Sequence, residues 1–160
     1  MIYLKSYKLF ENAQNLDVES TINEILYDLS DIGYRAECNV WKSEEHKVWN
    51  HETFKWVKTI HFEVSVSRSE DVPDGHGGLG SISTKEFNWD DIKEVMDRIS
   101  YYLFMISSSV EIRYYDSNGE EQSWNLNNSN ELLKRMEEEF TEYYYKDEGW
   151  FRIGFAAELK

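Results

Sequence analysis

Residues 54–68, FKWVKTIHFEVSVSR, limit what this chain can become more than any other stretch. Trp56, Ile60, Phe62, Val64 and Val66 alternate with Thr59, His61, Glu63, Ser65 and Ser67. Successive side chains on a strand point to opposite faces, so a period of two makes one apolar face and one polar face. Such a strand is stable only within a sheet whose apolar side is covered. The preceding segment, YRAECNVW, supplies a partner, with Tyr34, Ala36, Cys38 and Val40 pointing one way. KSEEHKVWNHET then reads as the loop that closes this hairpin. A second hairpin, SVEIRYYDSNGEEQSWNL, turns at Asn118-Gly119, where both residues tolerate positive φ. The opening IYLKSYKLF and the closing WFRIGFAAEL read as edge or flanking strands.

Three segments carry helical periodicity instead. In the first, Val18, Ile22, Ile25, Leu26, Leu29 and Ile32 form the stripe, with Asp17 placed to cap it and Gly33 to end it. The second places Ile92, Val95, Met96, Ile99, Leu103 and Ile106 together, with Asn88 as N-cap and Asp90 and Asp91 at the positive end of the helix dipole. The third has the narrower stripe Leu132, Leu133, Met136 and Phe140. A helix followed by a hairpin thus occurs twice, at about 18–68 and about 89–126, without residue-level identity between the two. The expectation is one α+β domain over residues 1–160, an antiparallel or mixed sheet of about six strands covered by three helices.

Size and composition favour a well-buried core. The chain has 160 residues, among them 6 Trp, 11 Tyr and 8 Phe. Cys38 is the single cysteine, so no internal disulfide can form. With no signal-like segment at the start, a cytoplasmic location is expected: the host cytosol, if the chain is phage-encoded. No apolar run approaches the roughly 18 residues that a membrane span needs.

The chemical motifs are weak. DGHGGLGS contains Gly75-x-Gly77-x-x-Gly80, the letters of a dinucleotide-binding turn. That turn needs a strand running straight into the first glycine and a helix opening at the last. Here SEDVPD intervenes before the glycines and the next helix starts eight residues after them. A P-loop fails because Ser81-Ile82 stands where Lys-Ser/Thr is required. The stretch from about Ser69 to Phe87 reads instead as an irregular, acidic, flexible loop. His46, His51, His61 and His76 lack the spacing of a zinc site, and Cys38 has no CxxC partner. Its place in the apolar alternation makes Cys38 a small core residue rather than a nucleophile. Glu44-Glu45, Asp90-Asp91 and Glu120-Glu121 are neighbours that point apart, which does not make an acid/base pair. No catalytic residue, metal, cofactor or small-molecule substrate is therefore expected. An unfamiliar enzyme would instead be marked by a deep pocket joining His61 to Glu63 or Glu111. Lysines and tryptophans interleave in KSEEHKVWNHETFKWVK, a pattern compatible with single-strand stacking. There the tryptophans read as sheet-rim packing and the lysines as counter-charges.

Charge is the strongest functional signal. Asp and Glu number 31 against 17 Lys and Arg, a net charge of −14. Such a surface repels nucleic acid and anionic lipid and attracts basic partners. The acids form stripes: Asp17, Glu24, Asp28 and Asp31; Asp90, Glu94 and Asp97; and Glu131, Glu138 and Glu142, flanked by Glu137 and Glu139. RMEEEFTEYYYKDEGW concentrates them beside tyrosines. In composition and size, carried by these stripes, the chain resembles the phage-borne anti-CRISPR proteins that occlude RNA-guided nucleases, and also the immunity proteins that neutralise nuclease toxins. The resemblance implies an acidic face docking on a basic groove of a nuclease or its ribonucleoprotein, without direct nucleic-acid or membrane binding. The candidate contact residues are Glu137, Glu138, Glu142, Tyr143, Tyr144, Tyr145, Asp147 and Glu148, with Glu70, Asp71 and Asp74 in the loop. A third reading is a component of a larger assembly that self-associates through the sheet edge at residues 150–159.

Overall fold

A computed structural model describes residues 17–73, 79–83, 88–115, 120–143 and 150–160. In chain order the elements are α1 (Val18–Leu26), a 3-10 turn (Tyr27–Ile32), β1 (Arg35–Asn50), β2 (Thr53–Ser67), β3 (Ser69–Pro73) and β4 (Leu79–Ser83). Then follow α2 (Trp89–Ile106), β5 (Ser107–Tyr115), β6 (Glu121–Leu126), α3 (Ser129–Tyr143) and β7 (Trp150–Leu159). Five strands make one antiparallel sheet in the order β1-β2-β7-β5-β6, and β3 and β4 form a separate two-stranded hairpin. The class is α+β, as the periodicities imply. Among the described residues the main sheet has five strands; the opening segment IYLKSYKLF, expected as a flanking strand, lies outside them.

The three helices and one face of the sheet share a single hydrophobic cluster. Phe62, Val64, Val66, Val110, Ile112, Phe151, Ile153, Phe155 and Ala157 form its sheet side. Phe62 and Phe155, directly paired across β2 and β7, stack with centroids 5.0 Å apart. The helical stripes are buried as expected, apart from the half-buried Leu133 and from Ile32. α1 tightens into the 3-10 turn at Tyr27, and its last residue, Ile32, is carried to the reversal at Gly33 and left exposed. Gly33 takes φ +86°, which lets the Tyr34 N–H reach back to the Leu29 carbonyl and close the cap. Asp17 caps α1 by accepting from the Ser20 N–H (3.3 Å). Asn88 holds the N-cap position of α2 without a side-chain cap bond.

Three expectations are corrected. First, the closing segment is no edge: β7 is the central strand, bonded to β2 on one side and β5 on the other. Its apolar residues Phe151, Ile153, Phe155 and Ala157 alternate with Arg152, Gly154 and Glu158, and only the burial of that face by three helices makes the centre its place. Over Gly154–Leu159 both sides of this strand are bonded, so that part offers no sheet edge for self-association. Second, most of KSEEHKVWNHET is strand. β1 runs on to Asn50, and the hairpin closes in a two-residue turn at His51-Glu52, with His51 at φ +47°. Cross-strand backbone pairing there overrides polar side chains that resemble a loop. Third, in the stretch after Arg68 the residues Ser69–Pro73 and Leu79–Ser83 are the strands β3 and β4, with Val72 opposite Gly80. Gly80 thus sits in a hairpin strand and opens no helix, so the dinucleotide reading fails on geometry as well.

The two helix-plus-hairpin units are not equivalent. In the first, the second strand lies beside β7; in the second, the first strand does.

Candidate functional site

All three helices lie on one face of the sheet, with α2 touching both α1 and α3. Their outward surfaces therefore merge. The segments 17–32, 89–106 and 129–143 hold 14 acidic and 4 basic residues, so this layer carries −10 of the net −14. Part of the acid is spoken for. Asp28, in the 3-10 turn, bonds Arg98 of α2. Asp91 accepts from the Tyr34 hydroxyl (2.5 Å), and the Arg68 guanidinium lies 5.0 Å from the centre of that ring. Burial, then the bond to Asp91, pushes the Tyr34 phenol well above its ordinary range. Glu138 pairs with Arg135 (3.0 Å) and more loosely with Lys134 (3.9 Å).

The structure divides the predicted contact residues. Glu138 is exposed on α3, whereas Glu137 is half-buried, because it flanks the buried Met136 rather than lying opposite the stripe. Glu142 and Tyr143 belong to the last turn of α3. Glu70 and Asp71 lie in β3, opposite Ile82 and Ser81. Asp74, Tyr144, Tyr145, Asp147 and Glu148 fall outside the described residues.

The opposite face of the sheet is largely polar, and several of its charges are paired locally. Glu63 meets Arg152 (3.2 Å) and Glu111 meets Arg113 (3.1 Å). His61 is buried under Trp41, with ring centroids 5.1 Å apart, and its Nε2 lies 2.9 Å from Glu44 Oε1. Lys42 reaches the other Glu44 oxygen at 2.6 Å, and these two contacts, Lys42 first, hold the carboxyl down at about 2. His61 thus pairs with Glu44, not with Glu63 or Glu111. Two open grooves, one lined by Tyr101, Phe104 and Met105 and one along α1, include none of these residues. Cys38 is buried, and burial with Glu19 and Asp17 nearby raises its thiol to about 12, which makes it a poor nucleophile. Among the described residues no three His, Cys, Asp or Glu side chains group as a metal would require. Nor is any described helix long and apolar enough to cross a membrane.

Among the described residues, four of the nine exposed large apolar side chains sit at the outer end of the β1–β2 hairpin, Val48, Trp49, Phe54 and Trp56, while Trp41 lies further in, at the irregularity beside His61. β7 ends opposite Lys58, so everything beyond that pair projects past the sheet as an arm. Trp49 and Phe54 pack edge to face at 4.8 Å, and Lys47 sits 4.9 Å over the Trp56 ring. Trp49 and Trp56 stand exposed on this arm, whereas Trp41 packs on His61 at the sheet. The interleaving of tryptophan with lysine was the available signal, and a clustered exposed apolar patch marks an interaction surface.

Comparison with protein-family models, with characterised proteins and with solved structures returned no significant match.

Proposed function

We propose that this chain is a non-enzymatic binding protein whose acidic helical layer occludes a basic, nucleic-acid-processing protein, most concretely an RNA-guided nuclease. One observation supports the reading above the others: three side-by-side helices concentrate −10 charges on one face of the sheet. Carboxylates three or four apart on a helix lie roughly 5–6 Å from one another, and B-DNA carries a charge about every 3.4 Å along each strand. Packed helices approach that density. Like charges so placed repel, and a basic groove relieves the repulsion.

The test is direct. The purified chain is added to cleavage reactions of a panel of RNA-guided nucleases and of basic nuclease-toxin domains, at low and high salt. Inhibition that weakens as salt rises, and weakens further with Glu138→Lys combined with Glu142→Lys, is the expected result. Full cleavage by every member at low salt overturns the reading.

A further inference from the structure

β1 is an edge strand, and its outer edge is treated in two ways. Along the inner half, α1 closes it. The Cys38 N–H donates to Asn23 Oδ1 (2.8 Å), Asn23 Nδ2 donates to the Cys38 carbonyl (3.0 Å), and the Val40 N–H donates to Glu19 Oε2 (2.7 Å). An asparagine amide here takes the place of a neighbouring strand. Beyond the irregularity between Val40 and Lys42 this cover stops, and among the described residues no element pairs with the outer edge of Lys42 to Asn50, nine residues long.

The ladder fixes which backbone groups face outward. In an antiparallel pair, opposed residues alternate between exchanging both hydrogen bonds and pointing both groups away. Asn50 and Thr53 flank the two-residue turn, so they are a bonded pair. Counting back, Trp49, Lys47, Glu45 and Ser43 point their N–H and C=O groups away from β2. Their side chains stand opposite Phe54, Trp56, Lys58 and Ile60, on the same face as the core.

We infer that this edge pairs with the same edge of a second copy, antiparallel about a twofold axis through His46. Three independent conditions select that register. Bonding parity and the continuity of the two faces require outward residues to oppose outward residues. Filling the open segment end to end sets Lys42 opposite the partner subunit's Asn50. Charge then decides in the same direction: Glu45 faces the partner subunit's Lys47, and Lys47 faces the partner subunit's Glu45. Sliding by one pair in either direction places Glu45 on its own counterpart or Lys47 on its own counterpart, and like charges directly opposed are unfavourable. Ser43 faces the partner subunit's Trp49, which extends the aromatic arm of one copy toward Ile60 of the other. The result is a continuous ten-stranded sheet in which the cap of Glu19 and Asn23 marks the end of the added strand. This inference is independent of the acidic helical layer.

Sedimentation equilibrium of the full chain across a concentration series tests it. The wild type is expected to dimerise. Glu45→Lys and Lys47→Glu should each weaken the dimer by about tenfold or more, since two symmetric pairs turn from attraction to repulsion. The double variant Glu45→Lys/Lys47→Glu should restore it. Both positions are on the exposed hairpin, and unchanged thermal melting of the monomer confirms that each variant is folded. A wild type that stays monomeric at the highest concentration overturns the proposal. So does a dimer that either single reversal leaves intact, or one that the double swap fails to rescue.

Discussion

The β1–β2 hairpin contains two regions built on the same alternation that meet opposite environments. In its inner part Phe62, Val64 and Val66 are fully buried in the core shared with the helices. In its outer part Trp56 and Phe54 continue the same side of the same strand, yet are 62% and 65% exposed. The residue types do not explain the difference, since tryptophan and phenylalanine are at least as apolar as valine. Reach explains it: β7 ends opposite Lys58, and two strands alone have no covering layer. A period of two thus states that one face is apolar. It does not state how far along the strand that face is covered.

The largest expected effect separates the two regions most sharply. Phe62→Ala should destabilise the protein by about 3–5 kcal/mol in urea denaturation, because it empties a buried site stacked on Phe155. Trp56→Ala, on the same face of the same strand, should stay within about 0.5 kcal/mol of wild type. Equal losses at the two positions would mean that the arm is packed in solution. Next, Asn23→Ala should cost about 1–3 kcal/mol, since it leaves both outward groups of Cys38 without their partner. It also opens the inner edge, so the uncapped variant should aggregate more readily on heating, as measured by light scattering.

The smallest effect lies where arm and body meet, at Glu44. Its carboxyl is lowered from an ordinary 4.5 to about 2 by Lys42 and then His61. A carboxyl depressed in the folded state stabilises above its unfolded value and loses that contribution as pH falls toward its folded value. Wild type should therefore be slightly more stable than Glu44→Gln above about pH 4.5, and the gap should close between there and about pH 2. Because Glu44 is solvent-exposed, the gap is small. A gap that is constant down to pH 2 would show that the Lys42–Glu44–His61 contacts do not persist in solution.

Much of the architecture was legible in local pattern. Asp17 and Gly33 bracket the first helix because a carboxylate can accept the free N–H groups and glycine can take positive φ. Ile92, Val95, Met96, Ile99, Leu103 and Ile106 mark the core side of α2 by spacing alone. The turn at His51-Glu52 was not legible, because neither residue has the propensity of Asn-Gly. Of the candidate contacts, the acidity of α3 was visible, but the half-burial of Glu137 was not, since its side of the helix depends on how the Met136 stripe seats against the sheet. The exposure of Trp49 and Trp56 was not legible, because it follows from the length of β7 and not from their own neighbours.

By itself the sequence determined the three helices and the main-sheet strands apart from the outer half of β1, the apolar side of each, and a net charge of −14. Those properties are written in spacing and residue type, which act within a few residues. Only the tertiary structure decided that the last strand lies at the centre, that three acidic helices share one surface, and that half of the β1 edge is closed by Asn23 and Glu19 while the other half is open. Strand order and edge exposure depend on pairing between residues far apart in the chain, and no local period records which distant partner a strand will meet.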